Sequence, residues 1–107
     1  MPKKPFQTLT EPMYYVLLVL EKERYGVEIM RKIGEISEGR VSVTPGTLYA
    51  MLGKFLSEGL IEETGREERK VWYRRTKEGE KLLEAECERL EKMLEDKWKY
   101  MGRKVKI

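Results

Sequence analysis

Residues Thr44–Ile61, TPGTLYAMLGKFLSEGLI, restrict the fold of this chain more than any other stretch. Thr44 is suited to cap a helix, because its hydroxyl can accept a hydrogen bond from a free backbone N–H two or three residues on. Pro45 then takes the first helical position, where its missing N–H costs nothing. Leu48, Leu52, Phe55 and Leu56 follow at i, i+4, i+7 and i+8, one apolar helix face. Gly59 is placed to end the helix in a left-handed turn. The opposite face holds Gly46, Ala50, Gly53, Lys54 and Ser57, flanked by Thr47 and Tyr49. That face is small, polar and almost free of acid, although 38% of the chain is charged. A helix that must lie against phosphates and base edges needs such a face.

Two helices are expected before it. Thr10 can cap the first, with Glu11 and Pro12 in its first turn and an end near Lys22. Met13, Val16, Leu17 and Leu20 form its core face. Tyr14, Tyr15, Leu18 and Val19 make the other faces apolar too, so a second surface, another subunit, is expected to cover them. The second helix spans Tyr25–Ser37, with Ile29, Ile33 and Ile36 on one face and Met30 beside them. Gly26 in its first turn implies close approach of another backbone. Glu38–Val43 connects to Thr44, with Arg40–Ser42 a candidate short strand. Helix, short link, helix is the helix-turn-helix pattern.

Beyond Gly59 the periodicity changes. Leu60–Thr64 and Val71–Arg75 are β-prone runs joined by Gly65–Lys70, which predicts an antiparallel hairpin, or wing. Its tip carries Arg66, Arg69 and Lys70, with Arg74 and Arg75 on the outgoing strand and Glu67 and Glu68 between them. Thr76 then caps a long last helix whose early Glu78 and Glu80 suit the positive end of its dipole. Leu83, Cys87, Leu90, Leu94, Trp98 and Met101 recur at spacings of 4, 3, 4, 4 and 3, close to a heptad seam, and Met93 and Tyr100 widen it. Such a helix spans roughly 37 Å at 1.5 Å per residue, so its far half needs a partner, and the simplest is its own copy.

Composition narrows the chemistry. The chain has 107 residues, enough for one small domain, and a net charge of +3, too small an excess to define a partner by itself. It has no His, which removes a histidine base, triad or metal ligand. The lone Cys87 excludes an intrachain disulfide and a CxxC site, and suits a reducing cytoplasm. No nucleophile–base pair, Gly-rich phosphate loop or metal cluster stands out, so neither an enzyme nor a cofactor is expected. The longest apolar run, Met13–Leu20, is too short to span a membrane, and MPKKPFQ has no secretion signal. The lack of Asn beside abundant Glu and Lys leans toward a thermophilic composition.

The segments Gly46–Ile61, Tyr25-Gly26 and WYRRTKEG (Trp72–Gly79) resemble the PadR-type transcriptional regulators, in order, over about Thr10–Leu83. Two positions depart from the family pattern: Ala50 stands where Pro follows GTLY, and Arg75 where Leu precedes the Thr-x-x-Gly segment. The wing tip is also shorter than in many members. The resemblance implies a homodimeric repressor of the branch with one long dimerisation helix. Its third helix would enter the major groove, and its wing would touch the adjacent backbone or minor groove. Some members bind flat aromatic effectors through a mid-helix aromatic, and Leu90 stands at the corresponding place here.

The resulting expectation is a mainly α (α+β) winged helix-turn-helix with a long C-terminal dimerisation helix. Residues 1–76, opened by an arm at 1–9, form the DNA-binding domain; residues 77–107 form the dimerisation helix and a basic tail. Ser42, Thr44, Gly46, Thr47, Tyr49, Ala50, Lys54, Arg66, Arg69 and Lys70 are the candidate DNA contacts, to a double-stranded and palindromic operator. Tyr14, Leu18, Leu83, Cys87, Leu90, Leu94, Trp98 and Met101 are the candidate homodimer interface. Tyr14, Tyr15, Leu90 and Trp98 are the candidate pocket for a small planar aromatic effector. The competing reading is a winged-helix module that binds protein through its apolar first helix and hairpin. A third reading, single-stranded or RNA binding, requires exposed aromatic platforms.

Overall fold

Thr10 opens the first helix, α1 (Glu11–Leu18), accepting a hydrogen bond from the Met13 N–H at 3.3 Å. The computed structural model describes residues 8–102; the first seven residues of the expected arm and the basic tail at 103–107 lie outside them. Helix α1 stops four residues before the expected Lys22, because other groups take its last carbonyls. Arg75 donates from its guanidinium to Leu17 O at 2.8 Å and Leu18 O at 3.1 Å. Arg24 Nε donates to Val19 O at 2.7 Å, and the Arg75 N–H to Leu20 O at 2.9 Å. Cations at a helix C-terminus also suit the dipole. Arg75 is thus a partly buried cap, and not one of the wing's exposed charges as its position on the outgoing strand suggests.

A two-residue strand, β1 (Arg24–Tyr25), precedes α2 (Gly26–Ile36). The backbone N–H of Tyr25 donates to Glu28 Oε1 at 3.0 Å, which starts α2 without a Ser, Thr or Asp cap. The close approach at Gly26 comes from a side chain, not a backbone: a β-carbon there would collide with the Tyr49 hydroxyl. Ile29 and Ile33 are fully buried, but Ile36 is exposed because the chain turns away through Glu38 and Gly39, both at positive φ. Arg40–Ser42 forms no strand. The Val41 N–H donates to Ser37 Oγ at 3.1 Å, so it is not offered to a neighbouring strand.

Helix α3 (Pro45–Ser57) begins at Thr44, as its sequence requires. It ends with Leu60 N–H on Phe55 O and Gly59 N–H on Leu56 O, and Gly59 has φ +73°. Its buried stripe is Leu48, Met51, Leu52 and Phe55; Leu56 is exposed and Met51 takes its place. Strands β2 (Ile61–Glu67) and β3 (Lys70–Arg75) pair antiparallel with a bulge between Glu63 and Gly65. Strand β1 pairs on the other side of β3, Arg24 opposite Tyr73 and Tyr25 opposite Trp72, so β3 is central. The hairpin is longer than expected and its turn shorter, only Glu68-Arg69.

Helix α4 (Lys77–Tyr100) is capped by Thr76, whose hydroxyl accepts from Gly79 N at 3.1 Å and donates to Gly59 O at 2.7 Å. The side chain that starts α4 therefore also holds the end of α3. The core joins Val16, Leu17, Val19 and Leu20 of the α1 segment to Ile29, Ile33, Phe55, Ile61, Tyr73 and Leu83. Val19, expected on an outer face, lies inside this core, while Tyr14, Tyr15 and Leu18 are half-buried. The molecule extends 56 Å along its longest axis.

Candidate nucleic-acid interface

The apolar stripe of α3 faces the core, which turns the rest of the helix outward. Ser42, Thr44, Gly46, Thr47, Tyr49, Ala50 and Lys54 are all exposed. The Thr44 hydroxyl donates to the Thr47 hydroxyl at 3.0 Å and accepts from the Thr47 N–H at 3.4 Å. Gly46 and Gly53 face open space, so the helix surface there is bare backbone. The first turn of α3 contains no acid. Free N–H groups at a helix start favour a phosphate.

Tyr49 joins this surface to the rest of the fold. Its ring is 53% exposed while its hydroxyl end packs over Gly26. Beneath the junction of α3 and the wing lies Tyr73, its phenol pushed up by burial, then by Glu63 and Tyr49, with Arg66 opposing. Tyr49 of α3 and Arg66 of the wing thus both bear on Tyr73.

The three wing cations are exposed but differently engaged. Arg66 Nε donates to Glu63 Oε1 at 2.9 Å, which offsets its charge. Lys70 Nζ lies 4.9 Å from the centroid of the Tyr25 ring, which in turn meets Trp72 edge-on at 5.5 Å. Arg69 stands at the turn beside Glu68. Tyr25 was not among the sequence candidates; nothing in its neighbourhood along the chain predicts a lysine from the wing.

A second concave region lies between α1 and α4. Leu9, Glu11, Tyr14, Tyr15, Glu86, Arg89 and Leu90 line a cavity of about 320 Å³. Three of the four candidate effector residues meet there; Trp98 does not line it and lies eight residues, about 12 Å, further along α4. Glu86 is a buried carboxylate at 4% exposure that sequence periodicity did not single out. It accepts from Leu9 N–H at 3.1 Å and from two nitrogens of Arg89 at 2.7 and 2.8 Å. Those hydrogen bonds, Arg89 first, hold it below the usual carboxylate range against the opposing effect of burial. Tyr14 Oη and Cys87 Sγ are 3.6 Å apart, and that hydrogen bond, with burial, pushes the phenol up to about 12.

Of the candidate dimer residues, Leu83 lies in the chain's own core, and Tyr14, Leu18, Cys87 and Trp98 are half-buried. Leu90 and Leu94, each 43% exposed, form an apolar strip on α4 with Met93 and Met101. Among the described residues no helix is long and apolar enough to cross a membrane.

Three helices, a hairpin after the third, and a small strand closing the sheet define a winged helix-turn-helix protein, here with a long C-terminal helix. The family model of the transcriptional regulator PadR-like family matches residues 16–85, and the chain belongs to that family. It is similar to the structure of a transcriptional regulator from Clostridium thermocellum, with 28% identity, TM-score 0.68, and coverage of 90% of this chain and 93% of that one. RosR from H. salinarum is 32% identical with TM-score 0.62, over 82% of this chain and 76% of that one. A PadR-like transcription factor from Bacteroides fragilis is 27% identical with TM-score 0.66, over 84% and 88%. Among curated proteins, none matches the chain.

Proposed function

We propose that this protein is a homodimeric repressor that binds a palindromic double-stranded operator in the cytoplasm. Residues 1–76 form the DNA-binding unit, and residues 77–107 supply the dimerisation helix and a basic tail. Helix α3 enters the major groove with Thr47, Ala50 and Lys54 toward the bases. Ser42, Thr44 and Tyr49 hold phosphates at its edge, and Gly46 permits close approach. Arg69 and Lys70 of the wing contact the adjacent backbone or minor groove, and Arg66, already offset by Glu63, contributes less. The observation that carries this reading is the exposed side of α3, small and polar, with bare glycine positions and no acid in its first turn. Membership of a transcriptional regulator family supports it.

Two copies would join along Leu90, Leu94, Trp98 and Met101, with Tyr14 and Leu18 beside them. Two-fold symmetry then sets half-sites one or two helical turns apart on one face of the duplex. A small planar aromatic effector would bind in the cavity between α1 and α4, against Tyr14, Tyr15 and Leu90.

The test is selection of tight sites from a random duplex pool, followed by affinity measurements at several salt concentrations. A palindromic consensus is expected. Lys70→Ala should weaken all sequences alike and reduce the salt slope by about one. Ala50→Trp should abolish or change site preference. If both variants bind the selected site like the parent, α3 and the wing are not the reading head, and the protein-binding reading replaces this one.

A further inference from the structure

Arg40 lies four residues before Thr44, in the connection that leads into α3. Its guanidinium reaches across to α1. Nη1 is ion-paired with Glu11, and Nη2 donates to the Tyr15 hydroxyl at 2.8 Å. Its carbon also lies 5.9 Å from the centroid of the Tyr15 ring. On the α2 side the same connection is held by Ser37, whose Oγ donates to Ile33 O at 2.7 Å and accepts from Val41 N–H at 3.1 Å. Val41 and Val43 are buried below it. The lead-in to α3 is thus fastened to α2 by the Ser37 hydroxyl and by Gly39 N–H on Gly34 O at 2.8 Å, and to α1 by one guanidinium. None of these is part of the apolar stripe that docks α3.

We propose that Arg40 is a positioning residue: its strap to Glu11 and Tyr15 sets the N-terminal end of α3 for DNA. This rests on the DNA-binding reading above. Both anchors also line the cavity between α1 and α4. An occupant that draws on the Tyr15 hydroxyl or the Glu11 carboxylate competes with Arg40 for them. The strap is therefore the point at which that cavity communicates with the reading helix. The guanidinium is suited to the task, since its planar fork serves two acceptors at once, which an ammonium does not reproduce.

The opposing possibility is that Arg40, being exposed, touches a phosphate itself. The two differ in sign and in salt dependence. For a strap, Arg40→Ala, Glu11→Gln and Tyr15→Phe each weaken binding to the selected operator about two- to fivefold, the scale of exposed polar contacts. The salt slope stays at the parent value, and Arg40→Ala with Tyr15→Phe is no worse than Arg40→Ala alone. Arg40→Lys restores only part of the loss. For a direct contact, Arg40→Ala lowers the salt slope by about one, while Glu11→Gln and Tyr15→Phe bind as the parent or tighter. That pattern overturns the proposal. Amide exchange at Thr47 and Leu48, whose N–H groups are bonded to Thr44, gives a readout independent of DNA. The strap requires faster exchange there in Arg40→Ala and Tyr15→Phe, with the rest of the chain unchanged. Unchanged exchange overturns the strap; failure of the parent to bind any duplex overturns the DNA reading alone.

Discussion

Arg75 Nη1 sits 2.8 Å from the carbonyl oxygen of Leu17, joining the last residue of β3 to the end of α1 across 58 positions of sequence. The same nitrogen serves Leu18 O, and Nη2 lies 3.6 Å from Glu80 Oε1. Its side chain is only 13% exposed. Arg75→Ala removes the charged donor from two carbonyls, of which Leu17 O keeps Leu20 N–H at 3.3 Å, and should lower stability by about 1.5–3 kcal/mol, the range for hydrogen bonds to a charged group. Urea denaturation measures this. The salt slope of DNA binding should not move, because this cation faces α1; a drop in slope would return Arg75 to the wing.

Gly79 and Gly34 should respond oppositely to the same substitution. A β-carbon on Gly79 would overlap the Leu60 carbonyl oxygen, whereas one on Gly34 meets nothing within 4 Å. Gly34→Ala should stabilise by about 0.5–1 kcal/mol through helix propensity. Gly79→Ala gains the same propensity but must displace backbone, and should be destabilising by about 1–3 kcal/mol. Thermal melts of the pair decide it; equal shifts would contradict the packing of α4 on the hairpin.

Glu68 holds φ +55° at the wing turn. Left-handed backbone costs an L-residue about 1–2 kcal/mol, less the entropy that glycine loses on folding. Glu68→Gly should therefore raise stability by up to about 1 kcal/mol, and the melting temperature by several degrees. The substitution also removes an acid beside Arg69, so binding to random duplex should tighten at low salt. A variant with a lower melting point would count against the turn geometry.

The two ends of the pH range probe different groups. Because Glu86 is held below the usual range, its contribution is present above about pH 4.3 and is lost as pH falls through its folded value. Glu86→Gln should flatten the acid limb of the stability curve. Tyr14 is displaced the other way, to about 12, so its contribution is present below about pH 10 and is lost between there and 12. Tyr14→Phe should make the alkaline limb shallower, leaving the part that belongs to Tyr73. Urea midpoints across pH, with phenolate absorbance for Tyr14, measure both.

The α4 strip predicts assembly. Replacing Leu94 and Trp98 together with Glu should yield monomers or unfolded chains, since each buried apolar side chain contributes about 1.5–3 kcal/mol, offset by association and ordering costs. Sedimentation reports the outcome, and a double mutant that remains dimeric would rule out this seam.

Local rules and global contacts were not equally legible in the chain. Thr10, Thr44 and Thr76 cap where their side chains predict, because a cap is satisfied within three residues. The ends set by distant groups were not readable. Helix α1 stops where Arg24 and Arg75 take its carbonyls, and no period along α1 encodes an arginine 58 residues away. Strand β1 is hidden in the sequence for the same reason: two residues carry no alternation, and only β3 makes them a strand. On the candidate interface, exposure along α3 followed from its stripe, apart from the exchange of Leu56 for Met51. The engagement of Arg66 with Glu63 and of Lys70 with Tyr25 needed the hairpin's register to be seen. Glu86 is one acid among many along α4, and only the fold brings Leu9 N–H to it.

The absent side chain at Gly79 also fixes an angle. Helix α4 rests its first turn directly on the Leu60 carbonyl, with Thr76 N–H bonded to the same oxygen at 3.0 Å. That contact is a fulcrum, and the rest of α4 beyond it, to Tyr100, is a lever arm of about 32 Å. A tilt of about 5° at the fulcrum carries the far end about 3 Å, close to the rise of one base pair. Should two copies be joined along that arm, the separation of their α3 helices is geared to a point where backbone meets backbone. A single methyl group at that point would then rescale the distance between half-sites without touching DNA or the partner.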